Sequence, residues 1–162
     1  ASLILTQCKS ANYNPTFFGC DGLDGLLSIK NFDTSLCEGV MLLTPFAADA
    51  QDQATQDFVK KYKDAYKGET PNQFAADAYD GVMVLAELMK KEGITADMSA
   101  SDICDKLKKA ISDKDFSYDG LTGTGMKWGE DGAVSKDPKA VIIKNGAYSA
   151  LTADDIAAST AQ

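Results

Sequence analysis

The chain has 162 residues, 44% of them hydrophobic and 25% charged, which is the composition of a globular domain with enough residues for a core. Its formal net charge is −8 and its basic residues do not cluster, so we expect no nucleic-acid partner. No apolar run reaches the roughly 18 residues of a membrane-spanning helix, and the absence of histidine removes the commonest general base and metal ligand.

The first 46 residues are predicted to form four elements in the order α-β-α-β. Apolar residues at helical spacing predict a helix over residues 1–13, which ends before Pro15 because the residue preceding a proline avoids the helical conformation. A short buried strand is predicted at 16–18, a weak helix over 23–32 and a second strand over 40–43. A short apolar run without alternation, as in the second strand, is typical of a parallel strand buried on both faces.

The middle of the chain is predicted to be helical. Apolar residues at helical spacing predict three helices, over residues 51–67, 70–93 and 99–111. In the second helix, Thr70 is the expected N-cap, Gln73 completes a capping box with it, and Gly93 is placed to end the helix. The residues expected to form its buried apolar stripe are Phe74, Ala78, Val82, Leu85 and Met89.

Glycine, β-branched residues and turns dominate the last part of the chain. Asn145-Gly146 predicts a two-residue β-hairpin, and Asp131-Gly132 predicts a turn after a strand that ends near Trp128. The tail over residues 152–162 is expected to make one helical turn. The glycine-rich stretch at 120–127 does not match a phosphate-binding loop, since Met126 stands where lysine is required, and we expect close backbone packing there instead.

No pattern of residues supports catalysis or a bound cofactor. Serine and cysteine nucleophiles have no histidine partner, and the sequence contains no nucleophile-elbow motif. The cysteines match no metal-binding spacing, and we expect them to be buried or half-buried free thiols: Cys8, Cys20, Cys37 and Cys104. We therefore expect no enzyme activity, no metal and no cofactor, while the redox compartment stays open.

Two residues are candidates for a binding site. Asp21 follows the first predicted strand directly, and the residues alone allow two interpretations: an ordinary Asp-Gly turn, or a carboxylate that binds a cation where ligands bind in open α/β sheets. Phe74 stands near the start of a helix. It fits either a core position or a position from which an aromatic ring covers a ligand.

Four segments in order carry a resemblance to a known family: "PTFFGCDG", "EGVMLLTPF", "FVKKYKDAYKGETPNQFAADAYDGVMVLAELM" and "GLTGTGMKWGEDGAVSKDPKAVIIKNGAY". Over about residues 1–150 the chain resembles the C-terminal half of type I periplasmic binding proteins, and most of all the branched-chain amino-acid (Leu/Ile/Val) binding proteins of ABC importers. The sequence "PNQFAADAYD", followed by "GLTG" and the Asn-Gly hairpin, is the most specific part.

This resemblance implies an α/β fold of the Venus-flytrap type, in which two lobes close on a ligand. Residues 1–45 would be the later part of the second lobe, residues 46–116 the helical segment of the first lobe, and residues 117–162 the return to the second lobe with a β-hairpin. It implies non-catalytic binding of a small amino acid or related solute, which is passed to an ABC permease in the membrane. The alternative is a ligand-binding sensor module of a receptor or regulator with the same fold.

The resemblance also implies roles for the two candidate residues. Asp21 matches the acidic residue that pairs with the ammonium group of the ligand, and Phe74 matches an aromatic residue that lines the side-chain pocket. The leucine-type pattern has glutamate at the position of Asp21. Because aspartate is one methylene shorter, either water bridges the pair or the ligand differs.

The resemblance further implies an extracellular or periplasmic location, with a lipid anchor on the full-length protein as an option. The chain starts at Ala1 without a basic leader, so we expect the signal segment to be absent from these residues. We also expect the chain to be a fragment that binds ligand weakly by itself. Because such a fragment exposes unpaired strand edges and apolar faces, we expect it to self-associate.

Overall fold

The computed structural model describes residues 1–137 and 139–160, which form two compact units. The first unit contains Ala1–Gln73 and the described part of residues 138–162, and the second contains Phe74–Asp137. Each unit is described by itself below. The lobe boundaries at residues 45 and 116 divide the chain differently and stay a prediction.

The described residues form helices and strands in a mixed order, as the predicted α/β class requires. The helices are α1 (Ser2–Ser10), α2 (Gln53–Ala65), α3 (Gln73–Lys91), α4 (Ala100–Ile111) and α5 (Ala153–Thr160). The strands are β1 (Phe18–Gly19), β2 (Met41–Leu43), β3 (Lys127–Trp128), β4 (Val134–Ser135), β5 (Ala140–Lys144) and β6 (Ala147–Ala150).

The first unit is built on a four-stranded sheet in the order β1-β2-β5-β6. β1 and β2 pair in parallel, with Phe18 opposite Met41, which confirms the predicted parallel pair. β5 runs antiparallel to β2. The prediction of full burial was wrong at the strand ends, since Phe18 is 59% exposed and Leu43 is 37% exposed.

The segment over residues 23–32 was predicted as a weak helix, and this prediction was wrong. Two 3-10 turns form instead, at Asp21–Leu23 and Leu26–Ser28. Gly25 lies between them with φ of 90°, a left-handed conformation that interrupts a right-handed helix. The turns place Leu26 in one buried cluster of the first unit, together with Leu5, Cys37, Val40 and Ile143.

The hairpin between β5 and β6 confirms the Asn145-Gly146 prediction. Asn145 and Gly146 have φ of 52° and 73°, so both residues adopt the left-handed conformation that a tight two-residue hairpin turn requires. Ile143 pairs with Tyr148 across the hairpin. This register places Tyr148 on a strand that faces the core of the first unit.

Helix α3 is present, but its start and its buried face differ from the prediction. The helix begins at Gln73, so Thr70 is not its N-cap. The side chains predicted to be buried are exposed to different degrees, including Phe74 at 49%. The buried residues of α3 are Gln73, Ala76, Asp80, Val84 and Leu88. The predicted end was correct, since α3 stops at Lys91 and Gly93 follows with φ of 60°.

The second unit packs α3 and α4 against the segment that contains β3 and β4. One buried cluster of this unit contains Val84, Leu88, Ala110 and Phe116, and the ring centroids of Trp128 and Phe116 are 6.0 Å apart. β3 and β4 pair antiparallel around the predicted Asp131-Gly132 turn, where Gly132 has φ of 81°.

The tail forms a longer helix than predicted. α5 spans eight residues rather than one turn, and residues 161–162 of the predicted tail lie outside the described residues. The oxygen Oγ1 of Thr152 accepts a hydrogen bond from the Asp155 backbone N–H, and Asp155 Oδ2 accepts one from the Thr152 N–H. This reciprocal cap supplies the start signal that the prediction missed.

None of the helices in the described part of the chain combines the length and apolar character that crossing a membrane requires.

Candidate functional site

Asp21 lies two residues after β1 and begins the first 3-10 turn. Its side chain is exposed, and its Oδ1 accepts a hydrogen bond of 2.9 Å from the backbone N–H of Gly22. Within the described residues, Asp21 Oδ2 accepts no hydrogen bond. The Asp-Gly turn contact is therefore present, and it leaves one carboxylate oxygen available to a ligand.

Asp24, three residues later, is a more embedded carboxylate that the sequence interpretation missed. Its Oδ1 accepts a 2.8 Å hydrogen bond from Gly25 N–H, and its Oδ2 accepts a 2.6 Å hydrogen bond from Gln73 N–H. Asp24 thus caps α3 from a distant segment, in place of Thr70. A carboxylate at a helix N-terminus is also favoured by the helix dipole.

Tyr148 lies beside this cap. The backbone N–H of Gly25 donates a 3.2 Å hydrogen bond to the Tyr148 hydroxyl oxygen, and the same N–H donates to Asp24 Oδ1. Burial, together with the negative charge of Asp24, raises the pKa of Tyr148 to about 12. Both causes disfavour the phenolate, so Tyr148 is a neutral donor at physiological pH.

This raised pKa predicts a pH-dependent contribution to stability. The folded pKa of about 12 lies above the ordinary tyrosine value of about 10, so the contribution is complete below about pH 10 and is lost as pH rises to about 12. We expect ultraviolet titration to show a tyrosine ionising near pH 12 that Tyr148→Phe removes. The control Tyr13→Phe, at an exposed tyrosine, should leave that ionisation in place. An unchanged high-pH titration in Tyr148→Phe would contradict the assignment.

Gln73 connects this region to β2. Its side chain is 1% exposed, and its Nε2 donates a 2.8 Å hydrogen bond to the carbonyl oxygen of Asp21. The hydroxyl of Thr44, the residue after β2, lies 2.9 Å from the Phe46 carbonyl oxygen and 3.2 Å from Gln73 Oε1, so these two acceptors share its single proton. Gln73 was expected to close a capping box, but its amide instead joins two segments far apart in sequence.

A cavity of about 490 Å³ lies next to the Asp24–Tyr148 pair in the first unit. Its lining combines apolar side chains such as Phe46 and Val59 with charged ones such as Lys63. Asp21 is not among the lining residues, so the cavity does not bear on the role of Asp21.

Phe74 is the second residue of α3 and the first residue of the second unit. Its ring is 49% exposed, so the structure places it outside the core, contrary to its place in the predicted buried stripe. Asp21 belongs to the first unit. The two candidate residues are therefore placed separately, and a shared site remains a prediction.

The glycine-rich stretch at 120–127 surrounds an internal carboxylate. Asp80, which is 5% exposed, accepts hydrogen bonds from the backbone N–H groups of Leu121 and Thr122, at 2.9 and 2.8 Å, and from Thr122 Oγ1 at 2.8 Å. A Cβ on Gly120 would lie 2.5 Å from Asp80 Oδ2, so any larger residue there would displace the Asp80 carboxylate. The expected close backbone packing is confirmed.

Lys136, whose side chain is partly exposed, joins this group of polar residues. Its Nζ lies 2.8 Å from Thr122 Oγ1 and 2.7 Å from Asp77 Oδ1, and it donates to both. Thr122 Oγ1 therefore donates to Asp80 while it accepts from Lys136. Asp80 is thus satisfied by three neutral donors, and Lys136 forms its ion pair with Asp77. Among residues 1–137 and 139–160, no three His, Cys, Asp or Glu side chains come together in a way that could hold a metal ion.

Comparison with known proteins gives a family and a fold. The model of the periplasmic binding protein family matches residues 1–147. The leucine-binding protein LivK from Thermotoga maritima matches in structure with a TM-score of 0.68 and 24% identity over 95% of this chain and 42% of its own. LivJ from Streptococcus pneumoniae, a branched-chain amino-acid transporter substrate-binding protein in complex with isoleucine, matches with a TM-score of 0.73 and 22% identity over 93% and 40%.

A third similar structure binds a different kind of molecule. It is a solute-binding protein of an ABC transporter from R. palustris in complex with benzoate, with a TM-score of 0.73 and 18% identity over 93% of this chain and 39% of its own. The chain thus spans less than half the length of these structures. None of the curated proteins compared with the chain matches it in sequence. Since the family model covers most of the chain and the fold matches across it, the chain belongs to the periplasmic binding proteins and has their type I α/β fold.

Proposed function

We propose that the protein containing this chain is a non-catalytic solute-binding protein of an ABC importer. The observation that carries the proposal is the family match over residues 1–147. In this proposal the protein works outside the cytoplasmic membrane, binds a small solute by lobe closure and presents it to a membrane permease. A lipid anchor on the full-length protein belongs to the proposal as well.

The proposed ligand is a small amino acid or a related solute. Two of the three similar structures are described as binding leucine or branched-chain amino acids. The exposed carboxylate of Asp21, with Oδ2 unoccupied by the described residues, supports this class because it can pair with an ammonium group. Its place after β1 agrees with the general location of ligands at the carboxyl ends of strands.

Phe74 is proposed to contact the apolar part of the ligand. Its half-exposed ring is available for such a contact, whereas a core phenylalanine would not be. This role is independent of that of Asp21, since the carboxylate would select for the ammonium group and the ring for an apolar side chain.

Isothermal titration calorimetry on the natural full-length protein tests the proposed function. The probes are L-leucine, L-isoleucine and L-valine, with benzoate as the comparison because the R. palustris structure holds it. We expect heat of binding with at least one of the three amino acids and none with benzoate. Binding of benzoate alone would contradict the ammonium-based proposal, and the absence of binding to any probe would contradict the ligand class.

We also expect the 162-residue chain to self-associate through a second copy of itself. One face of α3 exposes large apolar side chains: Phe74, Val82, Leu85 and Met89. Burial of such a face against another copy removes apolar area from water. We expect light scattering to give a mass above that of a monomer, and a double variant with Val82→Lys and Leu85→Glu to lower it. A monodisperse monomer with a cooperative thermal transition would contradict this expectation.

A further inference from the structure

Gln73 carries more hydrogen bonds than a helix start requires. Its backbone N–H is satisfied by Asp24 Oδ2, which already provides the cap of α3. The side-chain amide is therefore not needed for capping. It is nevertheless buried, with 1% exposure, and oriented by contacts at both ends.

The two ends of this amide contact different segments. Nε2 donates to the carbonyl oxygen of Asp21, and Oε1 lies 3.2 Å from the hydroxyl of Thr44. Thr44 is 4% exposed and directly follows β2, so its position is held by the sheet. Gln73 thus connects the Asp21 turn to the end of β2 through one side chain.

The contact with Asp21 acts on the peptide group that directs its carboxylate. The carbonyl of Asp21 and the N–H of Gly22 belong to one planar peptide, and in a trans peptide they point in opposite directions. Gln73 holds the carbonyl side at 2.8 Å, while the N–H side holds Asp21 Oδ1 at 2.9 Å. Fixing the carbonyl therefore fixes the direction in which the carboxylate is held.

We propose that Gln73 is a positioning residue for Asp21: its amide sets the plane of the Asp21–Gly22 peptide, and this peptide directs the free carboxylate oxygen of Asp21 toward the ammonium group of a ligand. The inference rests on the proposed function, because it concerns the same binding role of Asp21. The turn has a second support, since the N–H of Asp24 also donates to the Asp21 carbonyl, at 2.9 Å. Loss of the Gln73 amide therefore removes one of two donors to this carbonyl, the one from outside the turn, so the direction of the carboxylate is held less tightly while the turn stays in place.

The test compares two ligands that differ only at the group Asp21 would bind. L-leucine has an ammonium group, and 4-methylpentanoate is the same molecule without it. The readout is the ratio of their two Kd values, measured by calorimetry on the natural full-length protein. A general loss of structure weakens both ligands and leaves this ratio unchanged, whereas a misdirected carboxylate weakens only L-leucine.

We expect Gln73→Met, which keeps the side-chain length and removes the amide, to reduce the preference for L-leucine by about tenfold. The matched control is Gln56→Met, the same replacement at an exposed glutamine of the first unit whose amide donates to Ala50. It should leave the ratio unchanged. A wild-type ratio in folded Gln73→Met would overturn the proposal.

A second variant covers the case in which Gln73→Met does not fold. Thr44→Val removes the hydroxyl that lies 3.2 Å from Gln73 Oε1, together with its contacts to Phe46, while it leaves the Nε2 contact possible. We expect a smaller reduction of the preference, by about threefold. An unchanged ratio in Thr44→Val would then overturn the proposal.

Asp21→Asn separates failure of this inference from failure of the proposed function. If Asp21→Asn leaves the preference for L-leucine at the wild-type value, Asp21 does not bind the ammonium group, and the proposed role of Asp21 fails together with the inference. If Asp21→Asn abolishes the preference and Gln73→Met does not reduce it, only the positioning role of Gln73 fails. Loss of the preference in both variants supports both.

Discussion

Asp80→Ala is expected to destabilise the second unit by roughly 3–5 kcal/mol, because the substitution leaves three donors without their acceptor. Two of them are backbone N–H groups of residues 121 and 122, and the third is the hydroxyl of Thr122, which is fully buried. Lys136 is affected as well, since it donates to the same hydroxyl. Stability is measured by urea unfolding followed through the fluorescence of Trp128.

Trp128 is a suitable reporter because it is the only tryptophan of the chain and packs against the core of the second unit. Asp77→Ala is the matched control, on the same helix and with a half-exposed ion pair to Lys136. We expect it to cost about 1 kcal/mol or less. Asp80→Asn, which keeps one acceptor oxygen, should fall between the two. A cost below about 1 kcal/mol for Asp80→Ala would show that the contacts with residues 121 and 122 do not hold this loop.

Asp21→Ala is expected to weaken binding of an amino-acid ligand by roughly 2–5 kcal/mol in the natural full-length protein. This corresponds to a loss of affinity of about 30-fold to several-thousand-fold. The physical reason is that a desolvated ammonium group would lose its opposite charge on lobe closure. Calorimetric titration of the wild type and the variant with L-leucine measures the difference.

Asp115→Ala controls for the loss of one negative charge, since Asp115 is an exposed aspartate paired with Lys114. It should leave the affinity unchanged within about 0.5 kcal/mol. If Asp21→Ala changes the binding free energy by less than the same limit of about 0.5 kcal/mol, Asp21 is an ordinary turn residue and does not bind the ligand.

Features determined by neighbouring residues were predicted well from the sequence. The hairpin at Asn145-Gly146 and the helix end at Gly93 follow from backbone conformations that few residue types adopt, so the residue type is itself the signal. The parallel pair β1–β2 was likewise indicated by short apolar runs.

The buried face of α3 was predicted wrongly because two of its buried residues, Gln73 and Asp80, are polar. Hydrophobic periodicity assigns polar residues to the surface. Their burial is compensated by partners far away in sequence: Gln73 contacts Asp24 and Asp80 contacts Thr122, over 49 and 42 residues. Such pairing is decided by tertiary structure, and a single sequence does not display it.

At the candidate site, too, the sequence did not reveal residues whose partners are distant in sequence. Position after a strand made Asp21 a candidate, and its role as a ligand contact stays a prediction. The embedded residues around it, Asp24 and Tyr148, were missed because an Asp-Gly dipeptide and a hairpin tyrosine resemble ordinary turn and strand residues. Their hydrogen bonds become visible only when the hairpin lies beside the turn.

The central claim is that this member of the periplasmic binding proteins recognises the ammonium group of a small amino acid through Asp21. The most direct measurement is the ratio of the Kd values of the natural full-length protein for 4-methylpentanoate and L-leucine. We predict a preference for L-leucine of at least about 30-fold, as loss of a desolvated charge pair requires. Equal affinity for the two ligands would contradict the claim.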